Sequence, residues 1–260
     1  MLARKALPGR YEAWNRRWGA PFGRTFKKLV PHAWRTTRLG ARLCGPFGFQ
    51  RNNDIRRFEY PWAFEALGVR RGLRVVDIGG SLAGLQFVLD LEGCEVVNVD
   101  PGEESRGRGW PVRPETFERL NHAFGTHVVL RNCFVEDAGL EDASFDRAVS
   151  ISVLEHVPER DLESILAHVR RALKPGGLFV VTLDLFLDVQ PFAAAASNRF
   201  GHNISARWLV EASGLELVHG ERSELYGYPE FDVRAIRERD DLLVGSYPAM
   251  VQTLVLRKHA

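Results

Sequence analysis

The chain has 260 residues, enough for one α/β domain with an appendage and too few for two ordinary domains with a linker. Its 45% apolar and 26% charged content are those of a globular protein, and no apolar run approaches the roughly 20 residues of a membrane span. The net charge of +2 hides an asymmetry, because residues 1–57 hold fourteen Lys or Arg against Glu12 and Asp54 alone, which leaves the remainder acidic.

The chain opens with a basic stretch that lacks the apolar core of a secretory signal, which argues for a cytoplasmic protein. Trp14, Trp18, Phe22, Phe26 and Trp34 recur at intervals near four between Arg and Lys residues, a pattern of short amphipathic helices broken at Pro21 and Pro31. Residues 1–57 thus read as a helical, basic extension that packs its aromatic face on the main domain. An anionic acceptor, a lipid headgroup or a homodimer contact are sharper readings of the same face, and nucleic acid is a weaker one.

Residues 48–69 read as a hinge, with Asp54 capping a helix that Pro61 interrupts, and with Arg56, Arg57 or Tyr60 closing over a ligand. Residues 58–260 form the main domain. Apolar strands at 73–78, 95–99, 127–131, 145–151 and 178–183 alternate with helices at 84–92, 114–124 and 159–173, which implies βαβ units and a mostly parallel sheet. Pro175 and Gly176 stop the last of these helices, and a helix near 205–213, a strand at 215–219 and a final strand at 250–257 complete the pattern. The three distant cysteines, Cys44, Cys94 and Cys133, have no spacing of a metal knuckle or disulfide framework and read as reduced thiols.

A strand delivering Asp77 into a glycine-rich turn places a ligand at its carboxyl edge. Asp100, about twenty residues beyond Gly79 at the end of the next strand, is positioned to accept both hydroxyls of a ribose. Together they imply an adenosine-containing cofactor. Nicotinamide enzymes share this arrangement, but no Tyr-x-x-x-Lys pair is present to serve a short-chain dehydrogenase.

VVDIGGSLAG at 75–84, VVNVDPG at 96–102, DASFDRAVSISVLEHVP at 142–158 and LKPGGLFVVTL at 173–183 follow one another in the order and spacing of a known family. Across about residues 70–220 the chain resembles the class I S-adenosylmethionine-dependent methyltransferases. The resemblance implies a Rossmann-like α/β sheet, mostly parallel with its last strand antiparallel, and S-adenosylmethionine as cofactor. It implies that Asp77 orders the glycine loop and the donor's amino group, that Gly79, Gly80, Ser81 and Gly84 let the backbone approach, and that Asp100 holds the ribose. Ile151 and Ser152 fall at the donor site, and the adenine position falls on Cys133 and Phe134, or on Asp137 if the loop shifts. The chain departs from the family's GxGxG spacing, with Ser81 and Ala83 where glycines are common.

Methyl transfer from a sulfonium needs alignment and, for a hydroxyl or ammonium acceptor, removal of a proton. His156, His202 and Asp184 are the candidate bases, all near the carboxyl ends of strands. Glu155 and His156 could contribute to a cation site, but position 152 is Ser where a further acidic ligand is expected, so no metal is expected. The reading is a methyltransferase acting on oxygen or nitrogen of a small metabolite, sugar or natural-product intermediate. A catalytically inactive donor-binding regulator and an RNA methyltransferase are the alternatives.

Overall fold

The computed structural model describes residues 1–102 and 112–259. Seven strands, β1 (Arg74–Ile78), β2 (Glu95–Val99), β3 (Val129–Arg131), β4 (Phe145–Ile151), β5 (Leu173–Phe186), β6 (Glu216–His219) and β7 (Ala249–Arg257), make one sheet in the order β3-β2-β1-β4-β5-β7-β6. The pairs from β3 to β5 are parallel, and β7 runs antiparallel to both its neighbours, as the resemblance implies. Chain order reverses between β1 and β4, which opens a crevice at the carboxyl ends of those two strands.

The strands form where the sequence is apolar without interruption, because the sheet is covered on both faces. On one face β1 and β2 bury Val75 and Val96 against α3 (Arg56–Ala66), α4 (Leu85–Leu91) and α5 (Pro114–Phe124). On the other, α6 (Glu159–Ala172) and α7 (Ala206–Ser213) contribute Leu162, Leu166, Val169 and Leu209. The α6 residues recur at intervals of three and four, which puts them on one stripe of the helix.

The N-terminal segment forms α1 (Gly9–Trp18) and α2 (Arg38–Cys44), joined by short 3-10 turns. Tyr11, Trp18, Ala41, Phe47 and Ile55 are buried in the same core as β1 and α4, so residues 1–57 share one hydrophobic interior with the strands. Residue 57, where the sequence reading divides the chain, lies in the first turn of α3.

Three local expectations are corrected. Pro61 does not interrupt α3, which runs unbroken from Arg56 to Ala66. A proline lacks the N–H that would bond the carbonyl four residues back, and the Arg57 carbonyl instead accepts a 2.7 Å hydrogen bond from the Asn15 side chain on α1. Asp54 does not cap the helix, because its carboxylate accepts from the Ser246 backbone N–H at 3.0 Å. Strand β5 begins at Leu173 and not at Leu178, since Gly176 N–H donates to the Lys258 carbonyl and Lys258 N–H to that of Gly177, both at 2.9 Å. The short 233–237 helix, α8, was not expected either.

Candidate functional site: a donor cradle above a buried carboxyl cluster

A cavity of about 680 Å³ occupies the β1/β4 crevice. Asp77, Gly79, Gly80, Ser81 and Asp100 line one part of it, Phe134, Val135 and Glu136 another, and Ile151, Ser152 and His156 a third. Arg56 and Tyr60 reach it from α3, as does Gln50 from the segment before it.

The glycine loop is shaped by close approach. Gly79 has φ +75°, and a Cβ there would meet Val153 Cγ1 at 2.5 Å, while one on Gly80 would strike the Asp77 carboxylate. Ser81, at the position of the departed glycine, takes the left-handed conformation anyway, with φ +44°. What holds it there is a set of hydrogen bonds: its N–H donates to Asp100 Oδ2 at 2.9 Å, and its carbonyl accepts from Gln86 Nε2 at 2.7 Å and Asn98 Nδ2 at 3.0 Å. Gly84 is not among the lining residues, and glycine is required there because at φ +108° a Cβ would sit 2.8 Å from Phe47 and the Pro46 carbonyl.

Asp100 Oδ1 accepts from Gly102 N–H at 2.7 Å, so this carboxylate is oriented at both oxygens before any ligand arrives. Burial raises the Asp100 carboxyl, an effect that the two amides oppose. Burial, and then the charge of Asp100, push the Asp77 carboxyl up to about 7. An ammonium group placed beside Asp77 would relieve that cost, and the glycine contacts leave only backbone at the loop's surface. The residues present therefore fit the S-adenosyl donor implied by the resemblance: the Asp77 loop for its amino-acid end, Asp100 for its ribose, and Phe134 to Glu136 for its base. Cys133 and Asp137 are not among the lining residues, and Arg57 is exposed to solvent.

Behind the cavity wall lies a cluster that sequence reasoning did not assemble. Glu59 is fully buried on α3 and pairs with Arg56 at 2.5 Å. Its other oxygen accepts from Ser152 Oγ at 2.7 Å and Thr182 Oγ1 at 2.5 Å. Ser152 Oγ also lies 3.0 Å from Asp184 Oδ1, and Tyr247 OH donates to Asp184 Oδ2. The Asp184 N–H donates to Glu155 Oε1 at 2.8 Å, and Glu155 Oε2 is buried without a hydrogen bond. Ser152, like Ser81, has φ +44°, so both positive-φ serines stand on the crevice, the kind of place where backbone strain collects.

The cluster therefore sets three buried carboxyls, Glu59, Asp184 and Glu155, around one guanidinium. A single Ser152 hydroxyl proton cannot be donated to both Glu59 and Asp184. Burial, and then the Asp184 charge, raise the Glu155 carboxyl well above the usual carboxylate range. For the Arg56–Glu59 pair, burial alone would lower the guanidinium, but Glu59 outweighs it and holds Arg56 charged.

Glu155, His156 and Asp184 each bring one ligand atom within 4.8 Å of the others. The further acidic ligand absent at position 152 is thus supplied by Asp184 from β5, and these three residues could hold a cation. His156 stands in the cavity wall, and its Nδ1 meets the Phe200 carbonyl. That carbonyl can only accept, so Nδ1 carries a proton. Asp184 sits behind Ser152 and does not line the cavity. His202 is brought beside the cluster through its backbone N–H, which donates to the Glu155 carbonyl at 3.1 Å, but it is not a lining residue.

A family model described as a methyltransferase domain matches residues 76–181, which include Asp77, Asp100, Ser152 and His156. A ubiquinone biosynthesis O-methyltransferase of Rhizobium etli is 28% identical, over 92% of this chain and 94% of that one. A sterol 24-C-methyltransferase of Gibberella zeae is 25% identical over 67% of this chain, which spans about half of that relative's length (47%). Among solved structures, the [4+2]-cyclase SpnF superposes with a TM-score of 0.58 at 15% identity, over 92% of this chain and 98% of that one, a likeness of fold alone. The chain thus carries a methyltransferase domain match over residues 76–181 and, with the donor cradle and the ordered motifs, resembles the class I, Rossmann-like S-adenosylmethionine-dependent methyltransferases.

Proposed function

We propose that the enzyme methylates an oxygen or nitrogen of a small-molecule acceptor, with His156 taking the acceptor's proton. The observation that carries this reading is the place of His156, an imidazole in the wall of the donor cavity whose ring is oriented by the contact of Nδ1 with the Phe200 carbonyl. The bound donor supplies an electrophilic methyl on a good leaving group. The protein's share is to align the acceptor against it and to exclude water. A cavity of about 680 Å³ is in the range of sites that enclose small ligands, which favours a compact acceptor over a polymer.

The test is methyl transfer from labelled S-adenosylmethionine to a panel of phenols, hydroxy acids and amines, beside calorimetric donor binding. His156→Gln should leave donor affinity within about twofold and lower kcat by roughly 100-fold, the usual scale of general-base loss. An unchanged kcat removes His156 from the chemistry. Donor binding by the wild type without transfer to any oxygen or nitrogen acceptor favours the non-catalytic binder.

A second reading is favoured by the orphaned Glu155 Oε2 and the convergence of Glu155, His156 and Asp184. A divalent cation held there would acidify a coordinated acceptor hydroxyl and make His156 a ligand instead of a base. Loss of activity in a chelator, restored by magnesium, would select this reading.

A further inference from the structure

Eleven large apolar side chains are exposed among the described residues, and six of them lie within one stretch: Phe22, Phe26, Leu29, Trp34, Leu39 and Leu43. Leu29 is 79% exposed and Leu39 69%, whereas the other five are scattered singly over the rest of the chain. Scattered apolar residues need no explanation, but a concentration of this kind does.

The stretch is not an undocked tail. Ala41, Cys44 and Phe47 are completely buried, Thr37 caps α2 by accepting from Gly40 N–H at 3.2 Å, and Arg24 N–H donates to the Cys44 carbonyl at 2.7 Å. On α2 the buried residues Gly40, Ala41 and Cys44 face inward, which leaves Leu39 and Leu43 one turn apart on the outer surface beside Arg38 and Arg42. A rigid element thus presents leucines to solvent.

Its charge is of one sign. No Asp or Glu occurs between Glu12 and Asp54, while Arg24, Lys27, Lys28, Arg35, Arg38 and Arg42 fall among the exposed apolar residues. Among the described residues these six cations have no carboxylate partner, in contrast to Arg10 and Arg17 on α1, which pair with Glu65 and Glu92. A hollow of about 280 Å³ opens in the same surface, lined in part by Phe22, Lys27, Arg35, Phe49 and Arg51. Gln50 lines both this hollow and the donor cavity, so the surface adjoins the site.

We propose that residues 22–43 dock the enzyme on an anionic phospholipid surface, with Phe26, Leu29, Trp34 and Leu39 entering the headgroup boundary and the surrounding Lys and Arg meeting lipid phosphates. Charge complementarity selects an anionic partner, and three leucines separate lipid from RNA, since aliphatic side chains cannot stack on bases. No helix among the described residues is long and apolar enough to cross a membrane, so the attachment is peripheral.

Cosedimentation of the full chain with phosphatidylcholine vesicles containing about 30% phosphatidylglycerol tests it, at roughly 0.1 M salt and again at about 0.5 M. Binding is expected to the anionic vesicles, to fall at the higher salt, and to be absent from pure phosphatidylcholine. Leu29→Ser combined with Trp34→Ser and Leu39→Ser should weaken it at least about tenfold, as should Lys27→Glu with Lys28→Glu, with donor affinity unchanged in both as the check on folding. Failure of the wild type to bind anionic vesicles overturns the proposal, as does vesicle binding that survives both variants. Tighter binding to a single-stranded RNA that is indifferent to the serine variant overturns it in favour of nucleic acid.

Discussion

The two sides of the crevice are built by opposite means. On the donor side, at the ends of β1 and β2, carboxylates meet backbone: Asp100 takes the amides of Ser81 and Gly102, and Asp77 lies against Gly80. On the other, at the ends of β4 and β5, side chains meet side chains drawn from Glu59, Ser152, Thr182, Asp184 and Tyr247, which span most of the sequence. The difference teaches where each is vulnerable. The donor side depends on loop shape and on two buried carboxyls, while the cluster depends on a balance of protons and one guanidinium.

The largest expected effect falls on that balance. Glu59→Ala leaves Arg56 without its direct ion-pair partner and should cost about 3–5 kcal/mol of stability, read by urea unfolding. A loss under about 1 kcal/mol would mean that Asp184 or Glu155 takes over the pairing and the cluster is more forgiving than its geometry implies. On the donor side, Asp100→Ala removes the acceptor of two amides and the group proposed to hold the ribose, and calorimetry should show S-adenosylmethionine binding weakened about 100-fold. Equal damage to donor binding from both variants would erase the division between the two sides.

A pH series sharpens the same contrast. Because the Asp77 carboxyl is raised to about 7 in the fold, the native state holds its proton more firmly than the unfolded chain does between about pH 4 and pH 7. Its contribution is thus fully present at the acid end and is lost as pH rises through that window, by at most about 1.4 kcal/mol per pH unit. Comparison of ligand-free wild type with Asp77→Asn across this range should show the variant lacking that decline. Parallel curves would place the Asp77 environment closer to water than its burial indicates. The smallest effect concerns Ser81, whose left-handed backbone costs roughly 1 kcal/mol in a residue with a Cβ. Ser81→Gly should raise stability by up to about 1 kcal/mol, offset in part by the entropy of glycine in the unfolded chain. A destabilised Ser81→Gly would show that its buried hydroxyl has a role that the backbone strain conceals.

The same division governs what could be read from the sequence. The sheet, its helices and the arrival of Asp77 and Asp100 at one crevice were legible because strand periodicity and the twenty-residue spacing are local properties. Glu59 was not, since it sits outside the alternating pattern and acquires its meaning only when α3 packs over β4 and β5. Asp184 is a candidate base by its position after a strand, but its place behind Ser152 depends on the register of β5 against β4, which puts Ile151 opposite Thr182. The tolerance of α3 for Pro61 was hidden for a similar reason. The residue that satisfies the freed carbonyl lies 42 positions from it in the chain.

That last bond reaches beyond helix geometry. Arg56, Glu59 and Tyr60 are held on a helix whose proline is accommodated by Asn15, a residue remote from any reacting atom. Anyone who grafts this catalytic domain onto a foreign N-terminal segment, or trims α1 to obtain a minimal enzyme, removes the partner of that carbonyl. A chimera should exchange Asn15 and Pro61 together, as one unit of inheritance.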